Sequence, residues 1–237
     1  MSISLPPPAN TEIYYPESDG LPMSDNTRQF RWIFVLFGNL AAWYYDDPKV
    51  FVSGNQLWFP VEGEPETSVS PDVYVVFGRP KGDRSSYKQW EEGGVPMTVV
   101  FEVLSPSNTA AEMENKFDFY EEYGVEEYYV YDPDKNRLKA YIRQGEILVP
   151  GESVKKFVSP RLGIRFELTS PEMTVFLPNG RPFKSFELLE RERLQAEQRA
   201  DRAEQRAARL IELGRKARRG LATPEELAEL DRLENIS

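Results

Sequence analysis

SPDVYVVFG (residues 70–78) and VPMTVVFEVLSPSNTAAEMENKFDFYEEYGVEEYYVYDP (residues 95–133) supply three strand-like runs, with a helix between the last two. The apolar run from Val99 to Leu104 carries one carboxylate, Glu102, in its middle. Strand alternation places Glu102 on the face that Val100 and Leu104 share. A charge among such neighbours costs roughly several kcal/mol unless it is paired, protonated or bound to a metal. Two groups in the same stretches are candidate partners: Asp72, at the start of the preceding strand, and Lys116, on the helix that follows.

Thr109-Ala-Ala-Glu112 has the spacing of a capping box, and Gly124 closes the helix that it opens. Met113, Phe117 and Tyr120 form the apolar stripe of that helix, with Lys116 at the stripe's edge. Tyr120 is read as core, and Ser105 and Ser107 as caps. Further strands are expected over residues 50–53, 57–61, 72–77, 126–131, 138–142, 161–168 and 173–177. The first two read as a hairpin through Gly54-Asn55. Asn179-Gly180 is another turn signal, and residues 79–96 are either a flap or a surface excursion. Upstream, a helix is expected over residues 24–45, capped by Ser24 or Asp25. Its apolar face is Phe30, Ile33, Phe34, Phe37, Leu40, Ala41 and Tyr44.

The 237 residues fit one domain with an extension, and 40% hydrophobic content is enough for a core. We expect a Pro-rich arm over residues 1–23, a catalytic-size domain over 24–183 and a charged helical extension over 184–237. The extension carries heptad spacing (Leu189, Ala196, Ala203, Leu210, Ala217) and then Thr223-Pro224, which opens a second helix. The second helix is expected to fold back as a helical hairpin, and the extension is either a coiled-coil seam for a homodimer or a solvated, salt-bridged extension. No apolar leader occupies the first twenty residues, and WIFVLF (residues 32–37) is too short for a membrane span. A cytoplasmic protein is expected.

The chain has neither Cys nor His. This excludes zinc fingers, thiol nucleophiles and Ser-His-Asp triads, and leaves Asp, Glu, Lys, Tyr and Ser with a hard, oxygen-loving cation. The net charge is −10; of the 29 basic and 39 acidic residues, 12 of each lie in residues 184–237, leaving 17 and 27 elsewhere. Such an acidic body argues against a broad DNA-wrapping surface. Asp72 and Glu102 on adjacent strands can converge on Mg²⁺ (or Mn²⁺), with the Val103 carbonyl as a further ligand. Lys116 can then orient or activate a water for attack on a phosphodiester.

The blocks PDVYVV, VVFEVLSPSNT and NKFDFYEEYGVEEYYVYDP together resemble the Uma-type (DUF820) family of restriction-endonuclease-like proteins, within the PD-(D/E)XK nuclease superfamily. The resemblance spans roughly residues 24–183, and the charged tail resembles one branch of the family. It implies an α/β (α+β) domain with a mixed central sheet flanked by helices, a metal site from Asp72 and Glu102, and a DNA substrate. The superfamily's lysine position is Leu104 here, and Lys116 stands where Uma-type proteins use a helix lysine instead. Glu112 matches an acidic residue common before that lysine. A histidine found in relatives at the start of the first helix is missing, with Gln29 as a candidate replacement. The other reading keeps the fold without the activity: Glu102 and Lys116 form a structural pair, and the helical tail makes an interaction module.

Overall fold

The strands that frame Glu102 lie at the centre of a six-stranded mixed sheet. The computed structural model describes residues 13–18, 20, 22–151, 156–169 and 171–235, so the Pro6–Pro8 run lies outside the described residues. The chain runs α1 (Thr27–Trp43), β1 (Val50–Ser53), β2 (Trp58–Phe59), β3 (Val73–Phe77), β4 (Tyr87–Lys88), β5 (Val99–Val103), α2 (Ala110–Glu122) and β6 (Glu127–Asp132). It continues with β7 (Arg137–Gln144), β8 (Ile147–Pro150), β9 (Lys156–Val158), β10 (Arg165–Leu168), β11 (Met173–Phe176), α3 (Phe186–Arg218) and α4 (Pro224–Glu234). The large sheet has the order β1-β3-β5-β6-β7-β8. β5 and β6 are parallel, joined by α2, and the other neighbours are antiparallel.

Alternation along β5 sorts its side chains between two cores. Val99, Phe101 and Val103 face α1 (Trp32, Ile33, Leu36, Leu40) and the small β11-β10-β9 sheet. Val100 faces Tyr120, Tyr128 and Trp58 on the α2 side. Glu102 falls on that second face. The α2 capping box forms as its spacing predicts, and Gly124, at φ +89°, supplies the left-handed residue that ends the helix.

Three expectations are corrected. The α1 cap is Asn26, whose Oδ1 accepts from the Arg28 and Gln29 N–H groups. The buried face of α1 is Gln29, Trp32, Ile33, Leu36 and Leu40, whereas Phe30, Phe34 and Phe37 are 45%, 48% and 37% exposed. WIFVLF is apolar all round, so periodicity alone does not choose an arc. Trp32 packing edge-on against Tyr131 on β6, with ring centroids 4.7 Å apart, sets the rotation. Finally, β1 and β2 do not form a hairpin: β1 pairs with β3, and β2 runs parallel to β4. Trp58 is fully buried and packs edge-to-face with Phe119 on α2, which pulls its strand off the main sheet.

Residues 79–96 are an anchored excursion. Glu92 pairs with Arg79 and Arg84, Tyr87 is fully buried, and its hydroxyl donates to the Val95 carbonyl at 2.8 Å. Strands β8 and β9 have no counterpart in the strands expected from sequence.

The chain divides into two compact units, Met1–Ser185 and Phe186–Ser237. In the second, α3 and α4 form a helical hairpin held by Arg209–Glu229 (2.7 Å) and Lys216–Glu226 (2.6 Å), with Thr223 and Glu226 forming the α4 capping box. Leu213 is buried, whereas Phe186, Leu189 and Leu194 are exposed. Among the described residues, no helix is long and apolar enough to cross a membrane.

Candidate active site

Asp72 immediately precedes β3. The register pairs Val73 with Phe101 and Tyr74 with Val100, so continuing it by one residue sets Asp72 opposite Glu102. The Val103 N–H, just beyond Glu102, donates to Asp72 Oδ2 at 2.7 Å. From α2, Lys116 Nζ donates to Glu102 Oε2 at 2.8 Å and to the Ser70 carbonyl at 3.2 Å. Lys116 therefore ties β5 to the segment leading into Asp72. The Tyr120 hydroxyl, one helical turn on, donates to Glu102 Oε1 at 2.6 Å. Glu102 is 3% exposed and Tyr120 is sealed from solvent. The three side chains singled out from sequence thus lie at one place, and Tyr120, read as core alone, is also a ligand of the buried carboxylate. Its spacing of four from Lys116 on the same stripe was the available signal.

Two carboxylates face one ammonium here, and their protonation reflects that. Removal from water and the Glu102 charge push Asp72 up to about 8, against the opposing pull of Lys116 and the Val103 N–H. Burial pulls the Lys116 ammonium down, but Glu102 and Asp72 outweigh it and hold it above its ordinary value. Lys116 is therefore a firm cation at neutral pH. Burial and the Glu102 charge raise the Tyr120 phenol well up, so it acts as a donor.

Gln29 reaches the same strand from α1. It is buried, its Nε2 donates to the Val103 carbonyl at 2.9 Å, and its Oε1 accepts from the Asp25 N–H at 2.8 Å. The carbonyl expected as a metal ligand thus already holds one hydrogen bond, leaving one lone pair. Asp25, one of the two expected caps, instead accepts from the hydroxyls of Ser105 (2.6 Å) and Ser107. Those bonds hold its carboxyl below the ordinary range, Ser105 first. They tie the start of α1 to the loop between β5 and α2. Glu112 completes the α2 capping box and sits at the helix surface.

Gly54 lets the β1–β2 turn close on the site. A Cβ there would stand 2.1 Å from the Asp72 carbonyl oxygen, so only glycine permits the approach. The neighbouring Asn55 N–H donates to the Pro71 carbonyl at 2.8 Å. Among the described residues, no group of three or more acidic residues is placed to hold a metal.

The site is thus an acid–acid–lysine cluster held between adjacent strands of a mixed sheet and the helix that follows. A family model described as "Putative restriction endonuclease" (Uma2) matches residues 19–182, and the chain belongs to that family. No curated protein matches the chain. Among solved structures, one described as a putative nuclease belonging to DUF820 from Anabaena variabilis ATCC 29413 aligns at a TM-score of 0.45. It shares 11% identity over 59% of this chain and 75% of that one.

Proposed function

We propose that the protein is a divalent-metal-dependent endonuclease that hydrolyses phosphodiester bonds in DNA. The observation that carries this reading is the convergence of Asp72, Glu102 and Lys116 at the ends of β3 and β5 and on α2. The donor set suits a hard cation: two carboxylates against one ammonium, and a nearby peptide carbonyl, with no thiol or imidazole in the chain. Asp72 and Glu102 hold Mg²⁺ or Mn²⁺, and the Val103 carbonyl is a further oxygen within the same cluster. When bound, the ion neutralises charge on the phosphate oxygens and acidifies water. Lys116, held cationic, orients the attacking water and stabilises the charge that builds on the phosphate; it does not serve as a base. Tyr120 fixes the orientation of Glu102. The reading carries with it a homodimer formed along the α3 seam and a cytoplasmic location.

The test is cleavage of plasmid and oligonucleotide DNA with Mg²⁺ or Mn²⁺. Asp72→Ala, Glu102→Ala and Lys116→Ala should each lower the rate by about a hundredfold or more while circular dichroism stays unchanged. A wild-type chain inactive on every nucleic acid and metal tried sinks the proposal. Sedimentation as a monomer at high concentration removes the dimer.

A second reading has its own observation. Both Glu102 oxygens, one Asp72 oxygen and the Val103 carbonyl already have protein partners. A cluster satisfied in this way suits an inert nuclease-fold protein that works as an interaction module. Calorimetry separates the two readings: Mg²⁺ or Mn²⁺ binding that disappears in Asp72→Ala supports the enzyme, and its absence in the wild type supports the module.

A further inference from the structure

Three aromatic residues of the α1 face that was expected to be buried, Phe30, Phe34 and Phe37, are instead open, and the last two share a cleft with Asp72. Phe34 and Phe37 are 48% and 37% exposed, and with Met23 and Ile33 they form one wall of a cleft of about 150 Å³. Ser53, Gly54 and Asn55 of the β1–β2 turn line the cleft as well, as does Asp72. Phe30 extends the aromatic wall outward, its ring centroid 4.4 Å from that of Phe34. The cleft is therefore apolar and aromatic on the α1 side, bordered by the turn on the other, and lined in part by Asp72.

Charge narrows what can occupy it. Outside residues 184–237 the chain has 27 acidic residues against 17 basic ones. The two arginines beside the aromatic wall are already paired, Arg28 with Asp134 and Arg31 with Glu172. Affinity for duplex DNA comes largely from many phosphate contacts, and this surface is poor in free cations. Stacking on an aromatic ring adds to affinity beyond any phosphate contact, and is available only where bases are unstacked and unpaired. A second copy of the chain is a poorer fit than one base to a cleft of about 150 Å³.

We propose that the cleft between α1 and the β1–β2 turn receives one unstacked nucleobase against Phe34 and Phe37, next to the phosphate presented to Asp72, so that the preferred substrate is a single-stranded or locally unpaired nucleic acid. Asn55 of the turn supplies hydrogen-bonding groups at the base edge. The proposal takes the polymer's identity from the nuclease reading and adds the state of the strand.

Binding is measured with the full chain in metal-free buffer by fluorescence anisotropy of one labelled oligodeoxynucleotide. The strand is presented alone, as a duplex, and with a single abasic site scanned along it. The single strand should bind at least about tenfold more tightly than the duplex, and Phe34→Ala should weaken single-strand binding by about tenfold while Phe34→Trp restores it. One abasic position should reproduce the loss and make Phe34→Ala silent. Phe34 is half-exposed, so the variant should melt like the wild type, and that is checked directly. Equal affinity for duplex and single strand overturns the proposal, as does single-strand binding indifferent to Phe34→Ala. It is likewise overturned if Phe34→Ala converts a dimer to a monomer without changing strand affinity, which would make the aromatic face a self-association surface. Asp72-dependent cleavage that ignores Phe34 and strandedness discards the cleft and keeps the nuclease. Phe34-dependent strand binding without cleavage discards the nuclease and keeps the cleft.

Discussion

Glu102 and Glu127 lie on the neighbouring parallel strands β5 and β6, 3% and 2% exposed, and the fold treats them in opposite ways. Glu102 points to the α2 side and meets an ammonium and a phenol. Glu127 points to the α1 side, because it aligns with Val99 in the register. It meets the Tyr129 hydroxyl (2.8 Å), the Ser159 hydroxyl and the Arg161 N–H, and no cation among the described residues is bonded to it. Burial raises the Glu127 carboxyl, and the Ser159, Tyr129 and Arg161 bonds only partly offset this. Glu127 is thus a hydrogen-bonding clamp that holds the Ser159–Arg161 segment to the sheet. Glu102 belongs to a charged cluster with a second carboxylate beside it. Burial of a glutamate therefore does not by itself mark a catalytic site; the cation and the second acid distinguish this one.

The largest expected effect separates the two glutamates by what removal of a partner does. Lys116→Ala leaves a buried carboxylate without its cation and should cost about 3–5 kcal/mol in urea unfolding, most of it recovered in the double variant with Glu102→Gln. A loss under about 1 kcal/mol would mean that the pair does not hold the fold, and the contrast with Glu127 would collapse.

A smaller effect is a pH dependence centred on Asp72. Its carboxyl is raised from 3.8 to about 8, so the folded state favours the protonated form. That contribution is complete below about 4, where both states are protonated. It declines as the unfolded chain ionises and is gone once pH passes through about 8. Asp72→Asn should therefore flatten the thermal midpoint between about pH 4 and 8, gaining on the wild type as pH rises. Added Mg²⁺ should stabilise the wild type and Glu127→Gln at pH 8, but not Asp72→Asn. Equal stabilisation of all three would place the ion elsewhere.

The smallest effect is Glu127→Gln, about 1 kcal/mol at pH 7: the amide keeps one acceptor oxygen and loses the second that the carboxyl offers to these donors. The raised Glu127 carboxyl has the same sign as Asp72: it stabilises at low pH and loses that contribution as pH rises through its folded value. The penalty of Glu127→Gln should therefore shrink from pH 4 to pH 8. A penalty that grows with pH would mean that Glu127 is ionised in the fold and that the two glutamates are more alike than their partners indicate.

The sequence determined what is local. Alternation along residues 99–103, the Thr109–Glu112 capping box, the Gly124 stop and the Thr223-Pro224 helix start depend on neighbours within a few residues, and each forms as spacing predicts. The absence of His and Cys narrowed the chemistry, and the order Asp72, Glu102, Lys116 named the cluster before any contact was known. Tertiary structure decided which groups meet. Tyr120 and Glu102 are 18 residues apart and Gln29 and Val103 are 74 apart, and no local period records such pairs. The rotation of α1 is of the same kind. An apolar helix offers two arcs of nearly equal hydrophobicity, and packing against Tyr131 with the Gln29 bond to Val103 selects one. That choice turns Phe34 and Phe37 outward beside Asp72.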